Sequence, residues 1–332
     1  MLGTPEFVAE HGREIELAQR RIAGRIRRTP TLRTDIDERL VLKAENLQLT
    51  GAFKVRGAFN AILRLRERQP RVDAVCTVSS GNHARAVAYA AKACGLHAVV
   101  IIPAGANPIK VAATRALGAE VVSDGVTFDN REEFAARVAG ERGLVMVHPF
   151  DDWDVIHGQG TVALEVLDDC DDVEAIVAPV GGGGLLSGIA LAARHRRAGV
   201  EVIGVEPESA ADAAASLASG TRQRLPRTPT TLADGVKVLA IGERNFDVLV
   251  QRRLVDAIVT VSEREIGAAV EEIWRLGRLF VEPTAALPLA AYRAGKLPIS
   301  NSGRVVLVLS GGNFDPAVVC EIFQRRETAT FE

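Results

Sequence analysis

Eight short apolar runs rich in valine and isoleucine recur along the chain: 74–79 (AVCTVS), 97–102 (HAVVII), 119–123 (AEVVS), 144–148 (LVMVH), 175–180 (AIVAPV), 201–206 (EVIGVE), 256–261 (DAIVTV) and 304–310 (RVVLVLS). Most lack the polar alternation of a half-exposed strand, so they predict strands covered on both faces. Between most of them lie alanine-rich stretches of helical periodicity, such as 82–95 (NHARAVAYAAKACG) and 107–118 (NPIKVAATRALG), with Gly95 and Gly118 placed to end a helix. Strand–helix alternation of this kind predicts an α/β fold of parallel sheet flanked by helices. The stretch 218–232 (ASGTRQRLPRTPTTL) predicts a surface excursion, and no internal repeat is present.

In parallel α/β folds, ligands bind beyond the carboxyl ends of the strands. Three strand-to-helix turns stand out there. GGGGLLSG (181–188) leaves backbone N–H groups uncovered at a helix start, which is a phosphate cradle by its physics. A plain tight turn is one alternative. A dinucleotide site is another, because Gly182, Gly184 and Ser187 half-fit a G-x-G-x-x-G/A spacing and Glu206 ends the next run. SSGNH (79–83) offers hydroxyls, an amide and N–H groups that suit a carboxylate, unless Ser80 or Asn82 simply caps the helix. SGGN (310–313) closes the last run and could point the Ser310 hydroxyl into the same pocket.

Composition narrows the chemistry. A formal net charge of −2 gives no electrostatic reason to expect a nucleic-acid or anionic-membrane partner. No apolar run reaches the ~18 residues of a membrane span, and the polar N-terminus reads as neither signal nor transit peptide. Four separated cysteines, three in apolar or helical surroundings that predict buried thiols, have no metal-finger spacing and suggest a reducing cytoplasm. The chain carries only six lysines against thirty-four arginines, which makes the lysine of TGAFKVRG (50–57) conspicuous.

The order of motifs then resembles a known family. ENLQLTGAFKVRGAFNAI (45–62), SSGNHARAVAYAA (79–91), VHPFDDWDVIHGQGTVALEV (147–166), VAPVGGGGLLSG (177–188), VEPESAAD (205–212), TLADGVKV (231–238), VEPTAALPLAA (281–291) and LSGGN (309–313) are similar to the fold-type-II pyridoxal-phosphate enzymes, in the threonine/serine dehydratase and serine racemase group. The resemblance implies a two-lobed α/β fold of the tryptophan synthase β type, each lobe an open, mostly parallel sheet flanked by helices. Residues 1–67 plus 148–332 would form the large cofactor-binding domain and 68–147 a small mobile one.

It also implies roles for single residues. Lys54 would hold pyridoxal 5′-phosphate as a Schiff base and serve as the base, a task arginine cannot perform because it keeps its proton. Phe53, Asn82, Gly181, Gly182, Gly183, Gly184, Leu185 and Ser310 would surround the cofactor, with Ser310 at the pyridine nitrogen. Ser79, Ser80, Asn82 and His83 would hold the substrate carboxylate, and Ser80 matches a second acid/base of racemases. Glu206, the carbonyl of Ala210 and Asp212 match a cation site whose oxygen ligands suit Mg²⁺ or Ca²⁺. The implied activity is an ammonia-lyase on a β-hydroxy amino acid such as threonine, serine, 3-hydroxyaspartate or phenylserine, the alternative being an amino-acid racemase. A homodimer is implied as well.

Several positions depart from the family pattern, among them Ala52, Phe128 and His157, and two more bear on the substrate. Arg85 replaces a common glutamine and is either a surface arginine on its helix or a group that could reach an acidic substrate side chain bidentately. Trp153 could border a bulky substrate or pack at a lobe interface.

Overall fold

A computed structural model of the protein describes residues 3–128, 130–300 and 303–329. The described strands form two sheets. Two of them, β1 (Thr31–Arg33) and β2 (Leu40–Lys43), precede the eight apolar runs. The runs themselves are β3 (Ala74–Val78), β4 (His97–Ile101), β5 (Glu120–Val122), β6 (Val145–Met146), β7 (Val173–Pro179), β8 (Glu201–Pro207), β9 (Ala257–Val261) and β10 (Arg304–Val308). The larger sheet runs β1-β2-β10-β7-β8-β9, parallel except for β1. The smaller runs β5-β4-β3-β6, wholly parallel, and draws every strand from residues 74–146.

Burial on both faces explains the missing polar alternation. In β7, Ile176 and Ala178 enter one core with Leu164, Leu186 and Ile189, whereas Ala175 and Val177 enter the opposite core with Ile266, Leu287 and Leu289. In β10, Val306 and Val308 divide from Val305 and Leu307 in the same way. The helices 82–95 and 107–118 are observed as Asn82–Ala93 and Pro108–Ala116, and Gly95 and Gly118 take the left-handed conformation beyond them. Among the described residues no helix is long and apolar enough to cross a membrane.

Three helices meet beneath the large sheet's carboxyl edge through glycine. A Cβ on Gly158 of the helix Trp153–Asp169 would lie 2.6 Å from the Cα of Gly57 in the helix Lys54–Arg68. A Cβ on Gly188 of the helix Gly184–Arg196 would lie 2.5 Å from the amide of Gly160. Close packing of these backbones fixes the start of the Lys54 helix relative to the glycine turn. A buried ion cluster anchors it further. Arg56 donates to Glu45 (2.8 Å to each oxygen) and to Glu165 (2.7 and 2.8 Å), and Lys43 donates to Glu165 at 2.8 Å. Arg56, Lys43 and Glu45 are each 0 % exposed, so two cations and two carboxylates balance one another out of reach of bulk solvent.

Two expectations need correction. Only Cys76 is a buried thiol; Cys94 and Cys170, at helix C-termini, are half-buried and Cys320 is exposed. Trp153 packs on the first helix (Pro5–Ile22), 4.1 Å from the His11 ring and stacked over His157, away from any substrate pocket.

Candidate active site

A cavity of about 510 Å³ opens beyond the carboxyl ends of β3, β7 and β10 and is lined from both sheets. Lys54, Phe53, Ser79, Ser80, Asn82, His83, Gly181, Gly182, Gly183, Gly184, Leu185 and Ser310 all line it. The turns singled out by the pattern therefore converge on one space, although their residues lie far apart along the chain.

Lys54 is the first residue of its helix, so its side chain projects back over the helix start into the cavity. Its amine donates to the carbonyl of Pro149 at 2.8 Å and lies 5.1 Å from the Phe53 ring centroid. Among the described residues no carboxylate pairs with it directly. Burial lowers its pKa to about 8, against a smaller opposing pull from Glu282. An amine so placed is in part a free base near neutrality and can act as a nucleophile.

Two helix N-termini that no side chain caps open into the same cavity. The first belongs to Gly184–Arg196, whose N-cap Gly183 has φ +93° and no side-chain hydrogen bond. Side chains there are excluded: a Cβ on Gly182 would lie 2.1 Å from the Phe150 ring, and one on Gly183 would lie 2.7 Å from Asn245. The second belongs to Asn82–Ala93, capped by Gly81 with no side-chain bond, so neither Ser80 nor Asn82 spends its side chain on capping. Each is an anion site by its free N–H groups and helix dipole. Ser310 follows β10, is 2 % exposed, and its hydroxyl has no partner. A buried orphan hydroxyl aimed into a cavity is a position waiting for a ligand atom.

His83 lines the cavity but is tied back, its Nε2 3.0 Å from the Val147 carbonyl. Burial, followed by the charge of Lys54, drives its pKa down to about 3 and keeps it neutral. Arg85 is not part of the wall. It donates to Oδ1 of Asn313 at 2.7 Å and lies behind that residue, so the structure does not bring it to a substrate side chain. The family's glutamine position is thus used here for an internal contact.

Glu282, Asn313 and the carbonyl of Pro149 are site groups that sequence reasoning did not assign. Asn82 Nδ2 donates to both Glu282 oxygens at 2.8 and 3.1 Å, and Asn313 Nδ2 donates to Asn82 Oδ1 at 2.9 Å. Glu282 is 3 % exposed. Burial first, then the charge of Asp234, raises its pKa to about 7 despite the Asn82 hydrogen bond. An acid directly ahead of a helix-starting proline, in the apolar stretch VEPTAALPLAA, was the available signal.

Away from this cavity, Glu206 and Asp212 are 0 % and 1 % exposed. Glu206 accepts from the amides of Ala213 (3.1 Å) and Ala214 (2.8 Å), whereas among the described residues no side chain bonds to Asp212, which only backbone amides such as that of Ile241 approach. Burial raises the pKa of Asp212 to about 6, and burial with the charge of Asp212 raises that of Glu206. Among the described residues no three His, Cys, Asp or Glu side chains cluster as a metal site, so a cation here would need carbonyl or water oxygens as well.

Comparison with known proteins agrees with this geometry. A family model described as "Pyridoxal-phosphate dependent enzyme" matches residues 22–311. An L-threonine ammonia-lyase of Geobacter sulfurreducens is 42% identical over 94% of this chain and 77% of its own length. A serine racemase of Arabidopsis thaliana is 40% identical over 93% of this chain and 95% of its own. The solved structure of a T.th. threonine deaminase superposes with a TM-score of 0.85 at 46% identity, covering 91% of this chain and 98% of its own.

Proposed function

This chain belongs to the pyridoxal-phosphate-dependent enzyme family, and from that premise we propose that it is an ammonia-lyase converting a β-hydroxy amino acid to a 2-keto acid and ammonia. The observation that carries the reading is a half-buried lysine amine with a lowered pKa sharing one cavity with two uncapped helix N-termini. One N-terminus suits a phosphate and the other a carboxylate.

The residues present fit the cofactor. Lys54 would hold its aldehyde, the turn Gly181–Gly184 with Leu185 its phosphate, Asn82 its ring hydroxyl, and the unpartnered Ser310 hydroxyl its ring nitrogen. When bound, pyridoxal phosphate supplies the conjugated system that makes the α-proton of an amino acid removable. The protein's share is placement. Ser79, Ser80 and the free N–H groups at Asn82 and His83 orient the substrate carboxylate, and the Lys54 amine takes the α-proton. The neutral Ser310 hydroxyl would offer a bound ring nitrogen no proton of carboxylic strength, which would favour loss of the β-hydroxyl over amino transfer. Release of 2-keto acid and ammonia from threonine, serine, threo-3-hydroxyaspartate or phenylserine is the expected result. D-amino acid formed faster than keto acid would make Ser80 the second base of a racemase instead.

The Glu206–Asp212 pair would suit a hard cation, because two buried carboxylates with no salt-bridge partner among the described residues stay there at a cost. We assign it to Mg²⁺ or Ca²⁺ with the Ala210 carbonyl as a further ligand. Adding either ion at about 100 times its Kd should stabilise the fold by about 2.7 kcal/mol. A Tm that rises with Ca²⁺ in the native protein but not in Asp212→Asn is the expected pattern.

A second copy of the chain is the partner we assign to an exposed apolar face. Phe280 is 61% exposed, and Trp274, Leu276 and Leu47 are each more than two-fifths exposed, with Phe314 stacked on Phe280. Sedimentation at a dimer's mass is the check. Residues 68–147 are assigned as the smaller lobe, closing over substrate against 1–67 plus 148–332.

A further inference from the structure

We propose that Glu282 is the base that takes the proton from the ammonium group of the incoming amino acid. The inference rests on the amino-acid lyase reading above and extends it to a residue with no role so far.

An α-amino acid reaches the site as a zwitterion, but only its neutral amine can attack a carbonyl carbon. The ammonium proton must therefore move to a group beside the carboxylate site. Glu282 stands there. Its carboxylate is hydrogen-bonded to Asn82, the first residue of the uncapped helix that suits the substrate carboxylate. An acceptor next to a helix N-terminus complements ammonium and carboxylate on adjacent bonds. Glu282 is itself the N-cap residue of the helix Pro283–Arg293, yet its side chain makes no capping bond and turns across to Asn82.

The other bases of the cavity are committed. His83 holds the Val147 carbonyl, and His148 Nδ1 accepts from the amides of Phe150 and Asp151. Asp151 accepts from the amides of Glu243 and Arg244, and Asp234 is paired with Lys110. Glu132 and Glu243 are exposed. Glu282 is the one buried acid of the described cavity wall.

The position is built for this side chain. A Cβ on Gly311 would lie 2.6 Å from Glu282 Oε1, and a Cβ on Gly51 would lie 2.6 Å from Asn313 Oδ1. Glycines of two separate motifs thus clear the space for one hydrogen-bonded row. The row also has a direction. Arg85 can only donate, so Asn313 turns Oδ1 toward it and Nδ2 toward Asn82 and the Thr50 carbonyl (2.7 Å). Asn82 must then turn Nδ2 toward Glu282. Charged groups facing Glu282 are Lys54, Asp234, Lys110 and, from behind the row, Arg85. Burial first, with Asp234 raising and Lys110 lowering, leaves its carboxyl poised near neutrality. The step balances: ammonium and carboxylate become amine and carboxylic acid, and the proton returns to the ammonia that leaves. Arg85 is a positioning residue that biases Glu282 toward the ionised form.

The test uses the holoenzyme and its Glu282→Gln variant. Expected is a loss of roughly 10²-fold in kcat/KM at pH 7, with the residual rate climbing about tenfold per pH unit as solution supplies the free amine. The rate of the cofactor absorbance change on mixing with substrate should show the same climb. A Glu282→Gln enzyme with the parent's neutral rate and pH profile would overturn the proposal. If that variant does not fold, Arg85→Gln serves: the acid limb of the profile should move to higher pH. An unmoved limb with a raised KM for threo-3-hydroxyaspartate would make Arg85 a substrate ligand and overturn the relay. If the parent protein shows no cofactor band, and borohydride fixes none at Lys54, the functional reading fails rather than the role of Glu282.

Discussion

Lys54→Ala is expected to lose at least ~10²–10⁴-fold in kcat, the contribution of a positioned general base alone, while the protein stays folded. The fold should survive because Lys54 gives the structure little. It makes one hydrogen bond, to the Pro149 carbonyl, and sits at the first position of its helix, where alanine is well tolerated. Losing that bond costs roughly 1 kcal/mol. Lys54→Arg should be equally inactive, because a guanidinium keeps its proton and does not add to an aldehyde. Steady-state keto-acid release beside a thermal melt separates the two quantities. Full turnover by Lys54→Ala would remove the assigned role and the proposal built on it.

The largest expected loss of stability lies two residues further along the same helix. Arg56→Met should destabilise the protein by about 3–5 kcal/mol, the usual cost of removing one partner of a buried ion cluster. The guanidinium satisfies both oxygens of Glu45 and both of Glu165, all out of water. Methionine would leave two carboxylates facing only Lys43 and the Thr29 hydroxyl. Replacing Arg56, Glu45 and Glu165 together by apolar residues of similar volume should cost far less than the single change, because no charge is then stranded. Denaturant midpoints of the single and triple variants make the comparison. A single variant within about 1 kcal/mol of the parent would mean that water reaches the cluster.

Much of the architecture was legible because burial on both faces writes a strand as an uninterrupted apolar run, as in β7, β8 and β10. The strands β5, β6 and β9 keep their apolar runs although they are only half-buried. All eight such runs are strands. The pattern overlooked β1 and β2, which are short and carry charge; β2 ends on Lys43, a residue that hydropathy places at the surface and Glu165 holds inside. The site was legible where backbone chemistry makes it, in the glycine turn and the SSGNH loop. It was not legible where side chains meet across the fold. Asn82 and Glu282 are two hundred positions apart, and nothing local to either announces the other. Arg85 illustrates the same limit in reverse. Its sequence neighbours suggested a substrate ligand, but a partner in the closing turn, Asn313, claims it.

The placement of β10 bears on how the chain is made. This strand, residues 304–308, lies between β2 (40–43) and β7 (173–179), so the larger sheet stays split until residue 308 has left the ribosome. The smaller sheet, drawn from 74–146 alone, can form early during synthesis. Ser310 and Asn313 arrive with that strand, so the site cannot be complete before the larger sheet has closed. Nascent chains should accordingly leave one flank of β2 and one of β7 unpaired until β10 emerges, a long window in which chaperones would find them.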